Sequence, residues 1–160
     1  MDADFERVRK DVASVLEAER TMVLATCSLG RVTARTVSVV TDGLSILFQT
    51  DCQSIKAEQM QSEHRVALCT GNIQIEGEAT LLGHPLDGSN RGFVERYRAV
   101  HSGAYERYSA ITTEVVVRVE PTLISLWKYV DGRVYKEILN ISERKVLREL
   151  YSPSFRETHA

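Results

Sequence analysis

Between Phe48 and Met60 the chain reads FQTDCQSIKAEQM, setting two hydroxyls, Thr50 and Ser54, and an ammonium, Lys56, where a strand-like run gives way to a helix-forming one. The first turn of a helix leaves backbone N–H groups without acceptors, and its dipole adds positive charge, so anions are attracted there. A serine hydroxyl and a lysine charge in that turn would complete a phosphate cradle. The same residues also read as an ordinary cap. Thr50 and Gln53 have the spacing of a capping box, which puts the helix start near Asp51, and Asp51 can itself take the free donors while repelling a phosphate. Arg35, in ARTVSVV, favours the anion reading. The Asp42-Gly43 turn is expected to pair its strand with the one ending at Thr50, bringing up a guanidinium able to make a forked pair of hydrogen bonds. Taken alone, Arg35 reads equally as a solvated strand arginine.

The other chemistry-bearing residues are dispersed. His64, His84, His101 and His159 show no H-E-x-x-H or carboxylate spacing, so no metal site is expected and they read as surface residues. Cys27, Cys52 and Cys69 are odd in number and never paired as C-x-x-C. They read as buried spectator thiols, Cys52 being the one whose position beside a helix N-terminus would favour a thiolate. No G-x-S-x-G elbow or Gly-rich P-loop occurs. Tyr97, Tyr105 and Tyr108 with Arg91, Arg96 and Arg98 read as a substrate mouth or, more simply, as amphipathic packing. Trp127, the sole tryptophan, reads as a core residue before a ring-stacking one. No side chain stands out as a general acid or base.

The elements that must position this corner are mostly strands. Phe5, Val8, Val12, Val15 and Leu16 recur at helical spacing while Glu6, Arg9, Lys10 and Glu17 stay wet, which predicts a capping helix. From Thr21 the pattern turns β-rich in TMVLATCS, RVTARTVSVVT, LSILFQT, RVALCTGNIQIEGEATLLG and TTEVVVRVEPTLISLWKYV. The glycines of SLGR and TDGL mark tight hairpins, so the first three strands should form a meander. Helices are expected through QSIKAEQMQSE, through LDGSNRGFVERYRAVHSG with Phe93, Tyr97 and Val100 on one side, and through NISERKVLRELY behind a Ser142 cap. Pro121 cannot donate to a ladder and predicts a bend or bulge in its long strand. The sum is an α+β protein, mainly antiparallel β, whose sheet closes as a barrel.

At 160 residues the chain fits a single domain, 1–160, with no repeat or linker. With 43% hydrophobic and 26% charged residues it has the mixture of a soluble globular protein, and a net charge of −2 argues against a nucleic-acid binder. No apolar run is long enough to span a bilayer, and the charged N-terminal segment lacks a signal-peptide core, so the expected location is cytoplasmic, with no membrane partner.

From Val23 to Gly83 the chain resembles the core of the pyridoxamine 5'-phosphate oxidase-like family of FMN-binding split β-barrels. The likeness rests on an arginine-led strand, a strand ending in threonine, a helix opening S-x-K and a strand pair ending E-G, with weaker continuation from Trp127 to Arg133. That resemblance implies a split β-barrel with flanking helices and a homodimer holding FMN in clefts between subunits. It implies that Arg35, Thr36, Val37 and Ser38 lie along the flavin, and that Gln49, Thr50, Ser54 and Lys56 serve its phosphate end. It further implies that Asn72 or Gln74 reaches the flavin of the partner subunit, that Trp127 stands near the ring, and that Glu76 and Gly77 are structural. It departs from the oxidase where Val40 and Ile55 replace a lysine and an arginine, and where Arg133 fits the first of two C-terminal arginines but Glu137 takes the second place. These losses argue against oxidation of pyridoxamine phosphate itself. The implied activity is an FMN-dependent oxidoreductase acting on a small-molecule substrate or electron donor. The alternatives are a non-catalytic flavin or haem protein, a sensor among them, and a reductase using F420.

Overall fold

The computed structural model describes residues 3–154. A helix, α1 (Ala3–Glu17), leads into β1 (Thr21–Ser28), β2 (Arg31–Ser38), β3 (Val40–Asp42), β4 (Ser45–Asp51) and helix α2 (Ile55–Ser62). Strands β5 (Arg65–Thr70) and β6 (Ile73–Leu81) follow, then helices α3 (Arg91–Val100) and α4 (Ser102–Tyr108), and finally β7 (Glu114–Val130), β8 (Arg133–Asn140) and β9 (Lys145–Leu150). Among the described residues no helix is long and apolar enough to cross a membrane.

All nine strands of the described residues join one antiparallel sheet, ordered β2-β1-β5-β6-β7-β4-β3, with β8 and β9 continuing from β7. The two ends of that path, β2 and β3, are separated by Val39 alone, so the sheet curls into a barrel. The first hairpin forms as expected: Leu29 and Gly30, at φ 49° and 77°, make the left-handed two-residue turn that matches strand twist. The meander does not continue. The second strand breaks at Val39, whose N–H donates to Arg20 O at 3.0 Å and whose carbonyl lies 2.8 Å from His101 Nε2. Only Val40–Asp42 pair with β4, so Arg35 lies opposite Leu24 of β1 and not beside the strand ending at Thr50.

The interior follows from strand alternation. Leu24, Leu68, Ile75, Ile124 and Leu139 stand in one cross-strand row, all buried, and Arg35 terminates that row at the β2 edge. Phe5, Val8, Val12 and Leu16 close one end from α1, which packs on β3, β8 and β9. Val15 is not on that stripe and is half-exposed. Pro121 does mark a bulge: Gly77 pairs with Pro121 and Glu76 with Leu123, leaving Thr122 to donate its hydroxyl to Glu76 O at 3.1 Å. Gly77 is required there, since a Cβ would sit 2.7 Å from Glu120 O. The helix expected behind Ser142 is instead strand β9. Asn140 Oδ1 accepts from the Ser142 hydroxyl and the Glu143 N–H, and Arg144 at φ 53° completes a turn that returns the chain along β8. Pairing with β8 overrides the helical spacing of Val146, Leu147 and Leu150.

Candidate functional site

The corner after β4 is built locally. Ser54, extended at φ −73° and ψ 152°, is the N-cap of α2, its Oγ accepting from Ala57 N at 3.4 Å. The Thr50–Gln53 capping box therefore does not form. Asp51 Oδ1 instead accepts from Gln53 N at 2.8 Å, folding the three residues before the cap into a tight loop. Thr50 is buried, with its hydroxyl 3.3 Å from that of Ser54. The N–H groups of Ile55 and Lys56 have no acceptor within the helix.

Two cations attend this helix start. Arg35 reaches from the edge strand across the Leu24 row, its Nη1 donating to Thr26 Oγ1 at 2.7 Å and to Leu24 O at 3.4 Å, its Nη2 to Thr33 Oγ1. Burial alone pulls its pKa down. Lys56 is held below the ordinary lysine value first by partial burial and then by the positive charge of Arg35, with Glu114 and Asp51 acting in the opposite sense. Among the described residues neither cation has a carboxylate within ion-pair distance. Two half-buried cations that repel each other beside open helix N–H groups are a donor set whose charge an anion would balance.

The predicted residues fall into separate groups. Arg35, Thr50, Ser54 and Lys56 belong to the corner. Val37 is buried in the core, Ser38 is half-buried, and Thr36 is exposed on the opposite face of β2. Because β2 ends the ladder, its outer edge carries unpaired backbone groups. Gln49 points away from Thr50, toward α4, where its Oε1 accepts from Ser109 Oγ at 2.8 Å while its amide N–H acts on the carboxyl of Glu114 and favours the charged form. Asn72, Gln74 and Trp127 line a separate groove of about 380 Å³ with Cys69, Ser125 and Lys136. There Asn72 Nδ2 donates to Trp127 O at 2.5 Å. Trp127 is not core: it is 38% exposed, its ring edge-on to Tyr151 with centroids 5.4 Å apart. Gln74, Cys69, Val23 and Thr36 form one row on the outer face, the face opposite to Arg35.

Two groups escaped sequence reasoning. Glu114, buried at the start of β7 opposite Asp51, has its pKa raised first by burial and then by Asp51, against Lys56 and His84. Thr26, Thr33 and Gln59 support Arg35 from beneath; a glutamine amid the buried residues of α2, beside Ala57 and Met60, was the available signal. At the three positions where the oxidase cations are absent from the sequence, Val40 is buried against α3, Ile55 is half-exposed, and Glu137 is wholly buried. The cysteines are free, and not buried: Cys27 and Cys52 are half-buried and Cys69 is exposed. Tyr97 packs on Phe93, and burial followed by the nearby Glu114 pushes its hydroxyl to about 12, so packing explains it. His64 is exposed, His84 and His101 are half-buried against backbone carbonyls, and His159 lies outside the described residues.

No curated protein matches the chain. Among solved structures it is similar to a pyridoxamine 5'-phosphate oxidase-related, FMN binding protein from Nostoc punctiforme, 17% identical, with a TM-score of 0.57 over 94% of this chain and 97% of that one. It is also similar to a FAD-binding protein from Mesorhizobium loti, 16% identical, TM-score 0.58, covering 71% of this chain and 89% of that one. HutZ, the haem storage protein from Vibrio cholerae, matches at 10% identity and TM-score 0.59 over 69% of this chain and 87% of that one. These likenesses establish the split-barrel fold. The profile of the pyridoxamine 5'-phosphate oxidase family matches residues 8–128, three quarters of the length. The chain therefore belongs to the pyridoxamine 5'-phosphate oxidase family.

Proposed function

We propose that the protein is a single-domain, cytoplasmic, homodimeric flavoprotein that binds FMN and exchanges electrons between the flavin and a small molecule other than pyridoxamine phosphate. The observation that carries this reading is the pair Arg35 and Lys56, cationic, half-buried and without a carboxylate partner, at the N-terminus of α2. A phosphate fits that donor set: a guanidinium, an ammonium, the Ser54 hydroxyl and open N–H groups converge, with the Thr50 hydroxyl behind them. The free edge of β2 offers backbone groups to the rest of a flavin. When bound, the flavin supplies the redox chemistry, and the protein supplies grip, orientation and access. FMN is favoured over FAD because two mutually repelling cations attend a single helix N-terminus, a donor set that one terminal phosphate satisfies.

Dimerisation is supported by the outer face. Val23, Ala25, Val32, Ala34 and Ala67 present small apolar side chains there, and Val32 is 68% exposed. Asn72, Gln74 and Trp127 lie on a groove that none of the corner residues lines, so a ligand contacting both groups would draw them from two copies of the chain. The absence of cations at Val40, Ile55 and Glu137 removes the charges that would hold a second phosphate, that of pyridoxamine phosphate.

The decisive experiment is the visible spectrum of the purified protein, followed by chromatography of the released chromophore. FMN, bleached by a reductant and restored by oxygen, supports the reading; a Soret band would transfer the site to haem, and FAD would remove the terminal-phosphate argument. Turnover with a nicotinamide donor then separates an enzyme from a carrier.

A further inference from the structure

We infer that Gln59 is a positioning residue for the anion site: its side-chain oxygen orients the hydroxyls of Thr26 and Thr33, and these hold the guanidinium of Arg35 in a single orientation. The inference rests on the phosphate reading above and adds to it a mechanism for presenting Arg35.

The direction of the bonds to Arg35 and to Gln59 follows from the donors, while the 3.4 Å contact between the Thr26 and Thr33 hydroxyls can run either way. A guanidinium can only donate, so Thr26 and Thr33 must accept from Arg35, at 2.7 Å from Nη1 in the case of Thr26. Each hydroxyl then has one hydrogen left and needs an acceptor. Gln59 Oε1 provides it twice, at 2.6 Å from Thr26 Oγ1 and 2.7 Å from Thr33 Oγ1, using both of its lone pairs. The amide cannot turn over, because Gln59 Nε2 donates to Arg31 O at 3.0 Å. Thr26 and Gln59 are buried, so no water competes freely for these bonds.

The consequence lies in what remains of Arg35. Of its five N–H donors, Nη1 serves Thr26 and Leu24 O, and Nη2 gives one to Thr33. The Nε–H and the second Nη2–H, parallel on the other edge of the guanidinium, have no partner among the described residues and form the fork a phosphate oxygen pair accepts. Gln59 also lies on the helix whose first turn carries Ser54 and Lys56. One short helix thus carries one half of the cradle and fixes the other.

The test titrates the full-length apoprotein with FMN and with riboflavin, which lacks the phosphate, by quenching of flavin fluorescence. Gln59→Leu, Thr26→Val and Thr33→Val should each weaken FMN roughly tenfold while riboflavin changes by less than about twofold. Thr26→Ser, which keeps the hydroxyl, should restore FMN binding. In an Arg35→Ala background the same substitutions should add almost nothing, since they act through Arg35. Thr33→Val, at a half-buried position, keeps the test available should Gln59→Leu not fold. If Gln59→Leu and Thr33→Val bind FMN like the wild type while Arg35→Ala does not, or if Thr26→Ser fails to restore binding, the relay is wrong and the phosphate site stands. If Arg35→Ala also leaves FMN affinity unchanged, or the wild type binds no FMN, the phosphate site itself falls and the relay falls with it.

Discussion

Two buried or half-buried clusters, one on the β7–β9 side and one at the β4–α2 corner, each bring two basic side chains together and treat them differently. On the β7–β9 side, Lys128 Nζ and Arg148 Nε converge on Glu137 at 2.7 and 2.6 Å, and Arg148 reaches on to Asp4 of α1 at 2.9 Å. Glu137 is wholly buried, so the carboxylate is the centre of the cluster and both cations are consumed by it. At the β4–α2 corner, Arg35 and Lys56 share no carboxylate, and each is penalised by burial. The first cluster is satisfied internally and ties a hairpin to a helix. The second is left short of negative charge, which is the condition for binding an anion. Net charge distinguishes neither; the positions of the carboxylates do.

Breaking the satisfied cluster should have the largest effect on stability. Glu137→Ala removes the acceptor of two ion pairs and leaves a cavity beside two cations that keep partial access to water, so a loss of about 2–4 kcal/mol is expected. Urea unfolding measures it. Arg148→Met should cost less than Glu137→Ala, because Lys128 remains to neutralise the buried carboxylate. If Glu137→Ala matches the wild type in unfolding midpoint, the cluster is not structural and the comparison collapses.

The corner should respond in the opposite sense. If the corner holds the FMN phosphate as proposed, Arg35→Ala and Lys56→Ala should each remove one charge-assisted contact and weaken FMN by roughly 10- to 100-fold, on the scale of about 1.5–3 kcal/mol per such bond. Stability without ligand should hold or rise slightly for Lys56→Ala, since burial cost and the repulsion by Arg35 are both relieved. A thermal melt with and without FMN tests both halves: the variants should lose the ligand-induced upshift and not the baseline. A drop in the unliganded melting temperature comparable to that of Glu137→Ala would make Lys56 a structural residue.

This contrast also marks what the sequence could carry. Alternation and glycine turns identify β1, β2 and the two long strands, and the corner residues announce themselves by chemical type. What fails is anything decided by pairing partners distant in sequence. Nothing local says that the run from Arg31 to Thr41 divides at Val39 between the two ends of the sheet, because both halves alternate equally well. Val146, Leu147 and Leu150 have helical spacing, and only β8 beside them makes a strand, although Asp131-Gly132 was a hairpin signal for β8 itself. Likewise α4 is a single short helix whose pattern is too brief to separate from a loop. Glu137 could be seen only as a missing arginine, since its burial and its two partners come from three strands. The support of Arg35 by Thr26, Thr33 and Gln59 spans β1, β2 and α2, so the glutamine between Ala57 and Met60 marks the helix but not the partners it reaches.

A smaller effect sharpens the corner from within. Ser54→Ala removes the cap of α2, costing about 1 kcal/mol of stability, and takes one hydroxyl from the anion site. Ser54→Asp should preserve the cap while adding a negative charge where the phosphate would lie. Unfolding midpoints should therefore recover in Ser54→Asp and FMN affinity should not, separating the two roles of the hydroxyl in one pair of variants.

The smallest effect expected comes from Glu114, the buried one of the two carboxylates that act on Lys56. Glu114 is buried and its pKa is raised above 4.5, first by burial and second by the charge of Asp51. Between 4.5 and that raised value the folded chain binds more protons than the unfolded chain, so the contribution of Glu114 to stability is fully present below 4.5 and is lost as pH rises through the raised value. Glu114→Gln abolishes this dependence. The variant should gain on the wild type in unfolding midpoint as pH rises from 5 toward 8, and the gain should level off once Glu114 is ionised. FMN should bind the variant a few-fold more tightly at neutral pH, because the phosphate no longer meets the Glu114 charge and only Asp51 still competes with it for Lys56. Weaker FMN binding in Glu114→Gln would mean instead that the carboxylate helps Lys56 stay protonated and aimed at the ligand. The corner would then be a satisfied cluster after all, differing from Glu137 only in the distance between its charges.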